Sequence, residues 1–185
     1  MSVDRQTEDS SGALRRALAE RPTVTGFLEA LTGEPLVADV LTQRRVASDP
    51  DAGLAVDGER TVIRRVARLR GRGGTPYLYA ETAFVPARLP LTARRRLAEG
   101  GDPIGRVLVD EGLAPARLPA VEPVPRQCPD PVGPEVAESV VWRRAYRLAL
   151  GGRPVFAIRE WFLRPVLDAL ASAPPPGRPA TSSTR

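Results

Sequence analysis

Residues 155–163 read V-F-A-I-R-E-W-F-L, an apolar run interrupted by one acidic residue whose position decides the interpretation of the chain. Alternate residues of a β-strand share a face, so Phe156, Ile158, Glu160 and Phe162 lie together. Burying a lone carboxylate among aromatic and aliphatic side chains is costly unless the carboxylate has partners. The stretch therefore predicts a buried strand whose inward face carries one functional acid.

A second strand shows the same pattern with the opposite charge. Residues 61–69 read T-V-I-R-R-V-A-R-L, and the face that carries Arg65 is otherwise apolar. If both faces point into one interior, Arg65 and Glu160 meet a ligand there, and the planar fork of a guanidinium suits a carboxylate or phosphate. Two structural alternatives remain open: a salt bridge between neighbouring strands, or a strand face that is exposed.

Two further positions are candidates for binding. Arg144 shares a strand face with Trp142 and Tyr146, although a solvated basic face is the alternative because arginines also stand at positions 143 and 147. The sequence D-P-I-G at residues 102–105 resembles a helix start, with Asp102 as the N-cap candidate. Free backbone N–H groups at such a start bind carboxylates.

The order of elements predicts one α+β domain, in which an antiparallel sheet of about six strands and flanking helices enclose a buried ligand cavity. The domain is expected over residues 11–170, between a disordered N-terminus at residues 1–10 and a disordered Pro/Ser-rich tail at residues 171–185. The predicted helices cover residues 12–20, 25–32 and 90–99, and the predicted strands cover residues 36–46, 61–70, 77–85, 114–121, 137–150 and 154–163.

The amino-acid composition excludes several types of catalytic and metal site. The chain has 185 residues, 42% of them hydrophobic, a formal net charge of +5, one cysteine and no histidine. These counts exclude an internal disulfide, a Ser-His-Asp triad and a histidine-ligated metal. No apolar run approaches the roughly 20 residues that span a bilayer, and the polar start is unlike a secretory signal, so a cytoplasmic protein is expected. The basic charge favours an anionic partner, and inward-facing charges favour a small molecule over nucleic acid.

Four stretches together resemble the chorismate pyruvate-lyase family, and most of all its actinobacterial branch. They are R-R-V-A-R-L with G-T-P-Y-L-Y-A-E-T-A-F-V-P, D-P-I-G-R, W-R-R-A-Y-R-L-A-L-G-G-R-P, and V-F-A-I-R-E-W-F-L. The resemblance covers roughly residues 23–165 and keeps its order. It implies an enzyme, a cofactor-independent carbon–oxygen lyase that eliminates pyruvate from chorismate to give 4-hydroxybenzoate.

The resemblance also implies roles for five residues. By motif position, Arg65 and Glu160 are the catalytic pair that contacts the oxygen at ring position four. The backbone N–H groups of Val24 and Ile104 would hold the ring carboxylate, and Arg144 would attract the enolpyruvyl carboxylate.

The pattern departs from the family at two positions. Arg159 stands where a threonine usually precedes the glutamate, and Glu81 replaces an arginine found in some members.

The expected partners are chorismate and its aromatic product, with no metal, cofactor, nucleic acid or membrane, in a monomer or weak dimer. Two alternatives stay open. One is a non-catalytic small-anion-binding domain of the same fold. The other is a lyase that acts on a chorismate analogue or gives another hydroxybenzoate.

Overall fold

The computed structural model describes residues 12–18, 21, 23–46, 53–54 and 61–172. The segments predicted to be disordered, residues 1–10 and most of 171–185, lie outside the described residues. Residues 171 and 172 are the exception, because they belong to the last helix. Among the described residues, no helix has the length and apolar character needed to cross a membrane.

Six antiparallel strands form a single sheet, as predicted. In sheet order they run β1-β2-β3-β6-β5-β4, so the two hairpins β2–β3 and β5–β6 meet at the centre along β3 and β6. The strands are β1 (Val37–Val46), β2 (Val62–Arg70), β3 (Pro76–Phe84), β4 (Ala116–Pro119), β5 (Val140–Leu150) and β6 (Arg153–Leu163). The strand predicted over residues 114–121 is half that length, and it lies at the sheet edge beside β5.

The central hairpin depends on its glycine pair. Gly151 and Gly152 connect β5 to β6 and have φ of 55° and 78°. A two-residue hairpin turn whose twist matches the strands needs positive φ at both positions, and glycine adopts it without steric cost. This turn and a register shift between Leu148 and Ala149 together place Arg144 opposite Glu160.

Helices cover the face of the sheet that carries Arg65 and Glu160, which we call the inner face. In the described part of the chain they are α1 (residues 12–18), α2 (Val24–Thr32), α3 (Leu91–Glu99), α4 (Ile104–Asp110) and, after the short helix α5 (Pro134–Ala137), α6 (Arg164–Ser172). Helix α5 itself lies on the opposite face, at the end of the proline-rich segment of residues 123–134. One apolar cluster joins α1, α2 and α6 to β2, β3 and β6, and a second joins α3 and α4 to β5 and β6. A cavity lies between the two clusters, and residues of both clusters line it.

The start of α4 differs from the sequence prediction. Asp102 does not cap the helix: Pro103 occupies the N-cap position and makes no side-chain cap. The carboxylate of Asp102 instead accepts a hydrogen bond from Nε of Arg96 at 2.9 Å. A salt bridge to an arginine on α3 thus replaces the cap, and it anchors the connection between α3 and α4.

The proline-rich segment after β4 covers the opposite, outer face of the sheet. Val124, Val132 and Val136 pack on Tyr79 and Trp161, and the Trp161 indole donates a hydrogen bond to the carbonyl of Pro125 at 3.3 Å. The segment has no helix or strand from residue 120 to residue 133, and α5 begins at Pro134.

Candidate functional site

A cavity of about 460 Å³ lies between the inner face of the sheet and the starts of α2 and α4. Strands β2, β3, β5 and β6 form its floor, and α4 with residues 113–117 forms one wall. Most of the lining is aliphatic. The side chains that carry polar groups are those of Arg21, Thr23, Thr25, Arg65, Thr82, Arg117, Tyr146 and Glu160. The cavity is therefore an apolar chamber with a few placed polar groups, the usual composition of a small-molecule site.

Sheet register explains why there is room at the centre. Glu160 on β6 lies opposite Ala80 on β3, and Ala80 lies opposite Ala67 on β2. These two alanines leave open floor between Glu160 and the neighbouring position Arg65. Strands are spaced about 4.8 Å apart, and Arg65 lies two residues, or about 6.6 Å, along β2 from the position in line with Glu160, so the Cα atoms of the two charged residues stand roughly 12 Å apart. A six-membered ring with substituents fits between them.

Arg65 is a buried cation with unused hydrogen-bonding capacity. Its exposure is 1%, and Nη2 donates to the carbonyl of Asp102 at 3.0 Å. Within the described part of the chain, Nε and Nη1 have no hydrogen-bond partner. Burial lowers the pKa of the guanidinium, and the nearby Asp102 carboxylate partly opposes this shift. A desolvated guanidinium with two free donors is the chemical signature of a site for an anionic oxygen.

Glu160 is held from one side by two donors. Its exposure is 3%; Oε1 accepts a hydrogen bond from the Tyr146 hydroxyl at 3.0 Å, and Oε2 accepts one from Nε of Arg144. Burial and the adjacent Glu160 carboxylate raise the pKa of Tyr146, so the hydroxyl keeps its proton and remains a donor. The carboxylate is thus oriented from behind while its other lone pairs face the cavity.

The structure decides between the alternatives left open by the sequence. Arg65 and Glu160 are both buried, so neither strand face is exposed. The two side chains are not bonded to each other, because Arg65 reaches a backbone carbonyl and Glu160 pairs with Arg144. Both charges therefore point into one cavity without neutralising one another.

The backbone positions predicted to bind a carboxylate also line the cavity. Val24 and Ile104 are the first residues of α2 and α4. Thr23 caps α2, its hydroxyl accepting a hydrogen bond from the Gly26 N–H at 3.1 Å. The first N–H groups of a helix have no intrahelical partner. The two helix starts therefore bring backbone donors to the same wall of the cavity.

Arg144 is placed differently from Val24 and Ile104. It is not among the residues that line the cavity, its side chain is 14% exposed, and its Nε is engaged with Glu160. The guanidinium carbon lies 4.9 Å from the centre of the Tyr146 ring and 5.7 Å from that of Trp142. Arg144 thus stands behind Glu160 and does not face a bound ligand.

Two residues of the site, Tyr146 and Arg117, have no role predicted from the sequence pattern. Tyr146 holds Glu160, and Arg117 lines the cavity with its guanidinium carbon 4.6 Å from the centre of the Tyr146 ring. Strand alternation places Tyr146 on the same face as Arg144, and this shared face is the feature of the sequence that could have identified Tyr146. Arg117 carried no such signal, because its strand β4 is only four residues long.

The two departures from the family pattern are partners. Glu81 and Arg159 lie opposite each other on β3 and β6, and Nη1 of Arg159 is 3.2 Å from Oε2 of Glu81. Both side chains lie on the outer face, away from the cavity. In this chain the two residues therefore form a cross-strand charge pair on the outer face, and neither lies on the inner face.

Comparison with known proteins identifies relatives of this chain. No family-wide profile matches it. Proteins named chorismate pyruvate-lyase from Mycobacterium tuberculosis and Mycobacterium bovis are each 26% identical to it over 171 residues, which cover 88% of this chain and 85% of each relative.

Solved structures share the fold. The crystal structure of PhnF from Mycobacterium smegmatis matches with a TM-score of 0.54 and 14% identity, covering 77% of this chain. The chain spans only 64% of that protein. The effector domain of PhnF alone matches with a TM-score of 0.52 and 15% identity, and 88% of that domain is covered. The chain is therefore similar in sequence to the mycobacterial proteins named chorismate pyruvate-lyase, and it shares its fold with the effector domain of PhnF.

Proposed function

We propose that this protein is a chorismate pyruvate-lyase that converts chorismate to 4-hydroxybenzoate and pyruvate. The observation that carries the proposal is the inner face itself, where a buried guanidinium with two free donors stands across an apolar cavity from an oriented carboxylate. The relatives named chorismate pyruvate-lyase support the same conclusion.

The reaction is an elimination driven by aromatisation. Chorismate carries a ring carboxylate, a hydroxyl at C4 and an enolpyruvyl ether at C3. The bond between C3 and the ether oxygen breaks, the proton on C4 is removed, and the ring becomes aromatic. The bonding electrons leave with the ether oxygen as the enolate of pyruvate, which is protonated at its methylene carbon. Atoms and charge balance without a redox partner.

The geometry supports a division of labour between Arg65 and Glu160. The free Nε and Nη1 of Arg65 stabilise negative charge on the departing ether oxygen. Glu160 accepts the hydrogen bond of the C4 hydroxyl and takes the proton from C4. Donors fixed in a desolvated site stabilise developing charge far better than water does, because they need no reorganisation during the reaction.

The remaining positions serve binding and orientation. We assign the ring carboxylate to the backbone N–H groups of Val24 and Ile104, which line the wall above the floor. Arg144, expected from sequence to attract the side-chain carboxylate, is better suited to orienting Glu160, since its Nε is already bonded there. Tyr146 completes this support from the other carboxylate oxygen.

The direct test is to incubate the purified protein with chorismate alone and to follow the products by chromatography. We expect pyruvate and 4-hydroxybenzoate in equal amounts. Pyruvate with a different aromatic product would indicate the related lyase that gives another hydroxybenzoate. Turnover of an amino-substituted chorismate in preference to chorismate would indicate a lyase for that analogue.

A second candidate function is a non-catalytic domain that binds a small anion. The observation that favours it is the fold shared with the effector domain of PhnF. Such a domain would bind 4-hydroxybenzoate or chorismate, and its melting temperature would rise, without release of pyruvate. The two candidates are therefore separated by one assay of turnover and one of binding.

Gly105 provides a test of the carboxylate site that leaves every charged group in place. A Cβ atom at Gly105 would lie 3.0 Å from Cβ of Thr23 and 3.0 Å from Oγ1 of Thr25. We expect Gly105→Ala to push α4 away from the start of α2 and to weaken 4-hydroxybenzoate binding about tenfold, a loss of about 1.4 kcal/mol. Calorimetric titration measures the dissociation constant.

The matched control is Gly73→Ala, because a Cβ atom there has no neighbour within 4 Å. We expect its affinity for 4-hydroxybenzoate to equal that of the wild type. An unchanged affinity in Gly105→Ala would mean that the two helix starts do not hold the carboxylate.

A further inference from the structure

Besides Arg65, two arginines line the cavity, Arg21 and Arg117. Arg117 is the one held beside Glu160 by an aromatic ring, and the proposed reaction leaves it unused. Arg117 lies on the edge strand β4, opposite Leu148 of β5, and its side chain lines the cavity. Its guanidinium carbon is 4.6 Å from the centre of the Tyr146 ring, so the group is held against the ring by a cation–π contact. Tyr146 in turn donates to Glu160.

Arg117 and Arg144 both pack against Tyr146, but of the two only Arg117 lines the cavity. The side chain of Arg144 is 14% exposed and is bonded to Glu160. Arg117 is exposed and has no carboxylate within salt-bridge distance among the described residues. Its guanidinium is therefore charged, oriented by an aromatic ring and available to the cavity.

Arg65 and Arg117 lie at opposite ends of the cavity floor and could each bind one anionic group of the same ligand. Arg65 stands on β2, and Arg117 stands on β4 at the other edge of the floor, with Glu160 on the strands between them. A ligand with one anionic oxygen needs only the first site. A ligand that spans both needs two anionic groups separated by a ring or an ether.

We infer that Arg117 binds a second carboxylate of the ligand, which in chorismate is the carboxylate of the enolpyruvyl group. This assignment rests on the proposed function for the identity of the ligand. The substrate has this carboxylate and the aromatic product does not. Arg117 thus makes the cavity prefer substrate over product, and the contact disappears when pyruvate leaves.

The experiment compares two unreactive probes in calorimetric titrations of the full chain. The first probe, 3-(carboxymethoxy)benzoate, is an aryl ether with two carboxylates, and the second, benzoate, has one. We expect Arg117→Gln to raise the dissociation constant of the dicarboxylate about 10- to 100-fold, the range for a hydrogen bond to a charged group. Its affinity for benzoate should stay within about twofold of the wild type, by the same reasoning.

Two further variants make the result specific. Arg117→Lys keeps the charge without the fork, and we expect it to recover part of the dicarboxylate affinity. Arg159→Gln removes one positive charge from the outer face and should change neither affinity. With chorismate as substrate, Arg117→Gln should raise KM by a similar factor and change kcat little.

Several outcomes would overturn the inference. A wild type that does not prefer the dicarboxylate, an Arg117→Gln variant that retains the preference, or an equal loss for both probes would each show that Arg117 is not a carboxylate site. Because the probes do not react, this test is independent of turnover. If chorismate is not converted but the preference holds and depends on Arg117, the proposed lyase activity fails and the two-anion site stands.

Discussion

Replacing Arg65 by methionine is expected to stabilise the ligand-free protein while abolishing turnover and the binding of an anionic ligand. The guanidinium is 1% exposed, makes one hydrogen bond to a backbone carbonyl and leaves two donors unsatisfied. Methionine fills a similar volume without the cost of desolvating a charge. We expect the free energy of unfolding to rise by about 1–4 kcal/mol, as when other buried ionic groups give way to apolar ones.

Denaturant unfolding of Arg65→Met and wild type measures the change in stability. For a chain of this length, each kcal/mol corresponds to roughly 2–4 °C in Tm. The matched control is Arg106→Met: Arg106 is bonded to Glu29 and to the carbonyl of Leu36, so its loss should destabilise the protein. A stable Arg65→Met protein with near-normal turnover would remove Arg65 from the mechanism. A destabilised one would show that Arg65 is a structural residue.

Glu160→Gln is expected to abolish turnover and, unlike Arg65→Met, to destabilise the protein. Glu160 is the counter-ion of Arg144, whose side chain is 14% exposed and whose Nη2 already lacks a partner among the described residues. Neutralising the acid leaves a buried cation uncompensated, a defect that costs about 3–5 kcal/mol when one member of a buried pair is removed. The amide also presents donors where Arg144 and Tyr146 both donate.

The double variant Glu160→Gln/Arg144→Met separates structure from chemistry. Removing both charges should recover most of the lost stability without restoring turnover. Unfolding curves and the chorismate assay on the two variants give both quantities. If the single variant is as stable as the wild type, Arg144 and Glu160 do not act as a charge pair. If it keeps normal turnover, Glu160 handles no proton.

The two variants are expected to change stability in opposite directions, because Arg65 and Glu160 differ in how far their polar atoms are paired. Nε and Nη1 of Arg65 have no partner among the described residues, and in the proposed function the anionic ligand supplies their partners. Glu160 is satisfied from behind by Arg144 and Tyr146. A bound anion should therefore raise Tm in the wild type, and this increase should be lost in Arg65→Met.

Part of this arrangement could be predicted from local sequence alone. Side chains alternate across a strand with a period of two, so the inward positions of Arg65 and Glu160 depended only on their apolar neighbours. The same rule placed Arg144 and Tyr146 on one face. The hairpin turn at Gly151 and Gly152 is also a local property, since only backbone preferences at two residues decide it.

The separation of these two charges could not be predicted in this way. Glu160 does not meet Arg65 because β3 lies between β2 and β6, and the pairing of β3 with β6 joins two hairpins that are distant in the chain. Strand order results from contacts between residues far apart in the chain, and local patterning carries no information about it. The pairing of Glu81 with Arg159 could not be predicted for the same reason, since only the register of β3 with β6 brings these two residues together.

By itself, then, the sequence determined the elements, the inward direction of two opposite charges and the resemblance to a lyase family. The tertiary structure alone decided that these charges share an open cavity without neutralising each other, that Tyr146 and Arg144 support Glu160, and that Arg117 lines the cavity. The physical reason is distance along the chain. Alternation and turns are properties of neighbouring residues, whereas the pairing of charges depends on which strands pack side by side.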